Sequence, residues 1–337
     1  MNPHVREFLD RMLALTVEAM SAQPGSPDVR RFGGATVSVR CTNAAFRGIL
    51  RDEITLPRSL PSDSDLRIDV WDCASTGIEP PALPHFVNPA APYEFAADGF
   101  IIDPNAGSAL IWDEATRHAV LWARDLTHPP EWYRAAPLRL LLTILGPLGD
   151  AVLVHGSAVE YEGRAAVLIG ASGSGKSTTA RLAELAGATH FADDQVVAYR
   201  LDGRFVADPL YRARKMQLDN AQLPNLTPHD DLTVVHTSST KSVLRPVTRT
   251  EFPAAVPIAA LITPDLSSGE PLTPVSSPAM FQRLLHACMQ DGVVSDARVA
   301  RSLLSLAQGV ACLSLGLARP TDDIASDVLT FLGSHHG

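Results

Sequence analysis

Residues Ala165 to Ala183 read Ala-Ala-Val-Leu-Ile-Gly-Ala-Ser-Gly-Ser-Gly-Lys-Ser-Thr-Thr-Ala-Arg-Leu-Ala. Ala165–Ile169 is a short apolar run, the pattern of a strand buried on both faces. Gly170, Gly173 and Gly175 permit a loop whose backbone N–H groups converge, because glycine tolerates positive φ and close backbone approach. From Lys176 to Ala186 alanine and leucine recur at helical spacing, and Gly187 can cap the end. The loop therefore lies between a strand and a helix N-terminus, where orphan N–H groups and the helix dipole favour an anion. Gly170-x-x-x-x-Gly175-Lys176-Ser177, with Ala171, Ser172, Gly173 and Ser174 inside it and Thr178 after it, is a full phosphate-binding (Walker A) pattern. In such a loop Lys176 reaches the β- and γ-phosphates of ATP and the Ser177 hydroxyl holds Mg²⁺. A chance glycine-serine turn is the competing reading; it leaves the strand, the helix and the Lys–Ser pair unexplained together.

The chain of 337 residues is long enough for one large or two ordinary domains. Its 46% hydrophobic and 19% charged residues are a globular balance. A formal net charge of -9 argues against a general nucleic-acid binder or an anionic-membrane binder. Cys41, Cys73, Cys288 and Cys312 are scattered, with no Cys-x-x-Cys pair, so neither a zinc site nor a redox motif is indicated. The N-terminus carries Arg6, Glu7, Asp10 and Arg11 and lacks the apolar core of a signal peptide. The most apolar stretch, Leu138 to Leu148, is interrupted by Arg139, Gly146 and Pro147 and is too short to span a bilayer. A soluble, cytoplasmic protein is expected.

Two domains are expected, divided at 130/131. In residues 1–130, Val5, Leu9, Met12, Leu13 and Met20 lie on one face of a helix. Thr36–Arg40 and Leu66–Trp71 alternate like half-buried strands. A linker with Pro80, Pro81, Pro84, Pro89 and Pro92 precedes three short strands, Gly99–Ile102, Ala109–Trp112 and His118–Trp122, spaced as an antiparallel meander. No titratable cluster in this half suggests chemistry, so it reads as an α+β recognition or regulatory lobe. In residues 131–337, Glu131–Leu145 reads as a helix that Pro137 kinks or starts. Ala151–Val154 is a strand closed by His155-Gly156. Thr189–Tyr199 is a strand pair or bent strand with Asp193 and Asp194 at its centre. Tyr211–Lys215 is the densest basic run, with Lys241, Arg245 and Arg249 beyond it. Helices over Ser277–Gln290, Asp296–Ala307 and Thr321–Leu332 alternate with strands over Pro257–Ile262 and Val310–Leu317. The fold class is α/β.

His155, the glycine loop and Asp193-Asp194 form a constellation. Phosphoryl transfer needs a phosphate cradle, a metal and a group that orients the acceptor hydroxyl. One carboxylate on a neighbouring strand would complete the metal site, and a second could accept the hydroxyl proton. Adjacent strand residues point to opposite faces, so a bend or bulge is needed to aim both inward. An exposed turn is the plain alternative for the two acids; Phe191, Val196 and Val197 around them look buried. For His155 the plain alternative is a residue that merely closes its strand.

The run from His155-Gly156 through Gly170–Ser177 to Ala192-Asp193-Asp194 resembles the catalytic core of bacterial HPr kinase/phosphorylase and its relatives. That resemblance implies a phosphate-loop kinase core similar to the nucleotide-binding lobe of phosphoenolpyruvate carboxykinase. It implies that Gly170 to Thr178 bind ATP and that Mg²⁺ sits at Ser177 and Asp194. It further implies Asp193 as base toward the acceptor hydroxyl, with His155 and Lys176 at the transferring phosphate. Three departures stand out: Thr178 occupies the place of an acid, the downstream Glu-x-Arg-Gly stretch is missing, and the N-terminal half is different. The chain is therefore more similar to the smaller HPr-kinase-related serine kinases, some of which serve ribosomal (lasso) peptide biosynthesis. The activity implied is Mg-ATP-dependent phosphorylation of a serine-type hydroxyl on a peptide or protein, with a basic group from the Lys215 or Lys241/Arg245 regions at the γ-phosphate. A small-molecule kinase and a non-catalytic ATP-binding regulator are the alternatives, and self-association into a homo-oligomer is left open.

Overall fold

The structure, a computed structural model, describes residues 3–23, 26–59, 64–81, 94–96, 99–103, 107–216, 232–237, 242–246, 252–289 and 297–334. Pro84, Pro89, Pro92, Lys241, Arg249, Gln290, Asp296 and the side chain of Val5 lie outside the described residues. The protein is mixed α/β, with several sheets. It forms two compact units, Met1–Glu53 with Pro57–Gly149, and Ile54–Leu56 with Asp150–Gly337. The division follows Gly149, later in the chain than the 130/131 boundary expected. Local bonds explain this: the Tyr133 hydroxyl is 3.0 Å from the Ser108 hydroxyl, and Gly34 N–H donates to the Gly149 carbonyl at 2.9 Å.

The first unit runs α1 (Pro3–Ala22), β1 (Asp28–Phe32), β2 (Ala35–Cys41), α2 (Ala44–Glu53), β3 (Leu66–Asp72), α3 (Cys73–Thr76), β4 (Glu94–Ala96), β5 (Phe100–Asp103), β6 (Ser108–Asp113), β7 (His118–Ala123), α4 (Glu131–Ala135) and α5 (Arg139–Leu145). Its seven-stranded sheet has the order β1-β2-β3-β7-β6-β5-β4. β5 to β7 form the antiparallel meander, while β2, β3 and β7 run parallel to one another. Phe8, Leu9, Met12 and Met20 of α1 cover Trp71, Ile111, Val120 and Trp122. The buried Trp71 indole is satisfied by Thr16 Oγ1 at 3.0 Å. The single helix expected over Glu131–Leu145 is two helices. Pro137 disfavours helical backbone at Ala136, and Leu138 then adopts a left-handed φ of 61°.

The second unit runs β8 (Ala151–Val154), β9 (Gly156–Tyr161), β10 (Arg164–Ile169), α6 (Lys176–Leu185), β11 (Thr189–Ala192), β12 (Val196–Leu201), β13 (Arg204–Pro209), β14 (Arg214–Met216), β15 (Leu232–Thr237), β16 (Ser242–Pro246), β17 (Val256–Asp265), β18 (Thr273–Pro274), α7 (Ser277–Met289), α8 (Ala297–Gly309), β19 (Ala311–Gly316) and α9 (Thr321–Ser334). The main sheet has nine strands, ordered β11-β9-β10-β17-β13-β12-β8, with β19 also on β17 and β18 on β19. β8 passes into β9 through His155 alone, although the two strands stand near opposite ends of that order. Val154 and Gly156 are two peptide units apart and can be separated by only about 7 Å, so the sheet must curl until its two ends meet.

β10 is buried on both faces, as its unbroken apolar run requires. Val167 and Ile169 pack with Met280 and Leu284 of α7 and Leu303 and Leu306 of α8. Ala166 and Leu168 pack with Ala180 and Ala183 of α6 and Ile324, Val328 and Leu332 of α9. Each large side chain buried this way contributes about 1.5–3 kcal/mol, which fixes the strand from which the glycine loop springs. α6 ends at Leu185 and is capped by Ala186, with Gly187 at φ 111°. The bonds Gly187 N–H to Glu184 O and Ala188 N–H to Ala183 O close it as a Schellman motif. Among the described residues no helix is long and apolar enough to cross a membrane.

Candidate active site

Register brings the constellation together. Val154 at the end of β8 pairs with Val196 at the start of β12, and Ala158 on β9 pairs with Ala192 on β11. The two corners, His155–Ser157 and Asp193–Gln195, therefore lie side by side. Ile169, the last residue before the glycine loop, pairs with Gly156, which sets the loop against the same place. Glycine is required at 156, since a Cβ there would stand 2.5 Å from the Leu168 carbonyl oxygen. It is required again at 175, where φ is 97° and a Cβ would stand 2.5 Å from Leu317 Cδ1.

The loop has its own internal brace. Lys176, 8% exposed, begins α6, and its Nζ donates to the Gly170 and Ala171 carbonyls at 2.8 and 3.0 Å. This holds the ammonium over the loop. Ser177 Oγ donates to Asp193 Oδ1 at 2.9 Å.

The two acids part company in the corner between β11 and β12. Asp194 takes a left-handed φ of 66°, which aspartate tolerates, and β11 carries a register shift between His190 and Ala192. Asp193 turns inward. It accepts from Ser177, from the Ser157 hydroxyl and, at Oδ2, from the Lys215 backbone N–H at 2.7 Å. Burial pushes its carboxyl above the ordinary aspartate range, against hydrogen bonds from Ser157, Lys215 and Ser177, and the neighbouring Asp194 charge adds to the rise. The His190 ring lies 4.0 Å from Asp193. Burial, then Arg214 and Arg181, keep it neutral, so it brings Asp193 no positive charge. Asp194 faces the other way, ion-paired with Lys215 Nζ at 2.7 Å and with His155 Nδ1 3.8 Å from its carboxylate. Of the expected pair, it is thus Asp193 that stands at Ser177, where the resemblance puts Asp194.

Lys215 is held by its neighbour. Arg214 donates to both oxygens of Glu184 on α6, at 2.9 and 3.0 Å, and to the His190 carbonyl at 2.6 Å. Glu184 is also bound by Arg181. This network fastens β14 to α6 and β11. The basic run Tyr211–Lys215 was visible in the sequence, but Ser157, Arg181 and Glu184 were not. A serine in a strand and an ion pair across a helix carry no local signal. Arg245 lies on β16 opposite Thr233. Among the described residues no group of three or more His, Cys, Asp or Glu could hold a metal. Mg²⁺ keeps several waters and is bound by one or two carboxylates plus phosphate oxygens, so Ser177 with one carboxylate fits it without such a group.

The first unit contains a charged cluster that its sequence did not reveal. Arg40 on β2 makes two bonds of 2.7 Å to Asp69 on β3. His118 Nε2 on β7 is 2.9 Å from the same carboxylate, and Arg67 lies 3.0 Å from His118 Nδ1. Burial opposes ionisation of Asp69. Hydrogen bonds from His118 and Arg40 outweigh it and hold the carboxyl below its ordinary range. In sequence comparisons no family model and no curated protein matches the chain.

Proposed function

We propose that the protein is a Mg-ATP-dependent kinase of the HPr-kinase-related kind, transferring the γ-phosphoryl group to a serine-type hydroxyl of a peptide or protein in the cytoplasm. The observation that carries this reading is the 2.9 Å bond from Ser177 to the buried Asp193, at the end of a complete glycine loop between strand and helix. A hydroxyl and a carboxylate in contact, one step past the loop lysine, are the two protein ligands that phosphate-loop enzymes give to Mg²⁺. Ser177 and Asp193 would hold the ion, whose contribution is to neutralise charge on the phosphates. Loop N–H groups and Lys176 would cradle the β- and γ-phosphates. Asp194, less buried and flanked by His155 and Lys215, is the acid left for the acceptor. It would take the hydroxyl proton as the new O–P bond forms and the bond to ADP breaks. Lys215 would balance charge on the phosphoryl group. The first unit would carry acceptor recognition.

The test is phosphopeptide formation, followed by mass, with the native protein and with Lys176→Ala. The variant should lose transfer and keep its fold, because the bonds from its ammonium to the Gly170 and Ala171 carbonyls lie within the loop. Unchanged transfer in Lys176→Ala would remove the loop from the mechanism. Tight ATP binding without transfer to any hydroxyl, peptide or small molecule, would favour a nucleotide-sensing regulator instead.

A further inference from the structure

A cavity of about 630 Å³ opens beside the glycine loop on the flank away from the acids. β10 has β9 on one side, leading to β11 and the Asp193 corner. On its other side is β17, followed by β19. Gly170, Ala171 and Ser174 of the loop form one wall; the end of β17 and the turn after it form the second; α7 forms the third. None of the residues proposed for metal binding or proton transfer lines it.

We infer that this cavity receives the nucleoside end of the nucleotide, its base and ribose. The inference rests on the phosphate-loop reading above and extends it. A triphosphate lying in the loop has two ends. The γ end must meet the acids and the acceptor, on the β9/β11 flank. The other end must leave on the opposite flank, where the cavity is. Its size falls within the roughly 300–1,000 Å³ of small-molecule sites. Its lining suits a flat, mostly apolar ring joined to a sugar. Leu266, 62% exposed, stands at the cavity 3.9 Å from where a Cβ of Gly175 would be, so an apolar face is presented at the loop itself. Asp265 accepts from the Ser267 N–H and hydroxyl at 2.9 and 2.7 Å. These bonds, with Arg283 nearby, keep it ionised, and an ionised carboxylate is the group that takes ribose hydroxyls in other nucleotide sites. A peptide acceptor in this cavity would be cut off from Asp194 by the loop.

The experiment compares Mg-ATP with Mg-tripolyphosphate, which has the same phosphate chain and no nucleoside, by calorimetric titration. Ala279→Phe on α7 fills the cavity, and Leu266→Ser removes the apolar face at an exposed position where folding is indifferent to the change. Both variants should weaken ATP by about tenfold or more and leave tripolyphosphate within about twofold. Lys176→Ala should weaken both ligands. Native protein that binds both ligands, with ATP affinity unchanged in both variants, overturns the cavity assignment alone. A rise in acceptor KM at constant ATP affinity would give the cavity to the acceptor and overturn it equally. An equal loss of both ligands in both variants would mean that the wall supports the loop rather than a base. Native protein that binds neither ligand overturns the phosphate-loop reading itself. If Ala279→Phe does not fold, Leu266→Ser decides.

Discussion

Asp69 in the first unit and Asp193 in the second have side chains that are each 1% exposed, and their electrostatics are opposite. Burial opposes the charge on both. Asp69 meets a guanidinium fork and an imidazole, and its carboxyl is held below the ordinary range. Asp193 meets two hydroxyls, one backbone N–H and a neutral histidine, and its carboxyl is held above it. Both side chains are shut off from solvent, but Asp193 lies deeper in the protein and beside the Asp194 charge, and its partners bring it no cation. An acid completed by a fixed guanidinium is part of the fold. An acid supplied only with neutral donors lacks a positive charge, and on the proposed function that charge arrives with Mg²⁺.

The sharpest test separates the two acids of the second unit. Asp194→Asn should cut phosphoryl transfer by roughly 10²–10⁴-fold, the usual contribution of a positioned base, with Mg-ATP affinity little changed. Asp193→Asn should instead abolish the tightening of ATP binding by Mg²⁺. Titration of nucleotide with and without Mg²⁺, beside phosphopeptide yield, reads both. If Asp193→Asn binds Mg-ATP normally and loses only transfer, the roles are those implied by the family resemblance and not those drawn from the Ser177 bond.

Asp69→Asn should destabilise the protein by about 3–5 kcal/mol in chemical denaturation, because it leaves the Arg40 guanidinium beside a group that can no longer balance its charge. Asp193→Asn should produce no such loss at neutral pH. Equal losses from the two substitutions would dissolve the distinction between them.

A smaller effect is expected from Ser157→Ala, which removes one donor to Asp193. A hydrogen bond to a charged group is worth roughly 1.5–3 kcal/mol, so Mg²⁺-dependent ATP affinity should fall by at least about tenfold. Far-UV circular dichroism should be unchanged.

The finest contrast is with pH, in the metal-free protein. Asp69 has a lowered native pKa. Its stabilisation is present above the unfolded value near 4 and is lost as pH falls through the lowered native value. Asp193 has a raised native pKa. The folded state there holds the proton more tightly, so stability declines as pH rises from the unfolded value through the raised one. Urea midpoints measured from about pH 2 to 8 should show Asp69→Asn flattening the acid limb and Asp193→Asn flattening the decline above it. Parallel curves for the parent and both variants would contradict the opposite shifts.

The residues from Ala165 to Ala183 determine a great deal alone. An unbroken apolar run, a glycine loop and an alanine-rich helical stretch are local patterns, and strand β10, the loop and helix α6 form where those patterns stand. The meander of β5 to β7 was legible for the same reason, since alternation and turn residues act between chain neighbours. The helix over residues 131–145 was legible except at its break, where Pro137 acts through Ala136 and Leu138. What the sequence left open is everything decided by contacts distant along the chain. The curl that sets His155–Ser157 beside Asp193–Gln195 depends on the pairing of β8 with β12 and of β9 with β11. The left-handed backbone at Asp194 then chooses which acid meets Ser177 and which meets Lys215. The Arg40–Asp69–His118 cluster exists only because three parallel strands bring residues far apart in sequence into register. A hydrogen bond or an ion pair is set by distance in space, and residue order constrains that distance only within a few positions. The chain therefore names the residue types of its site, while the packed sheet assigns their partners.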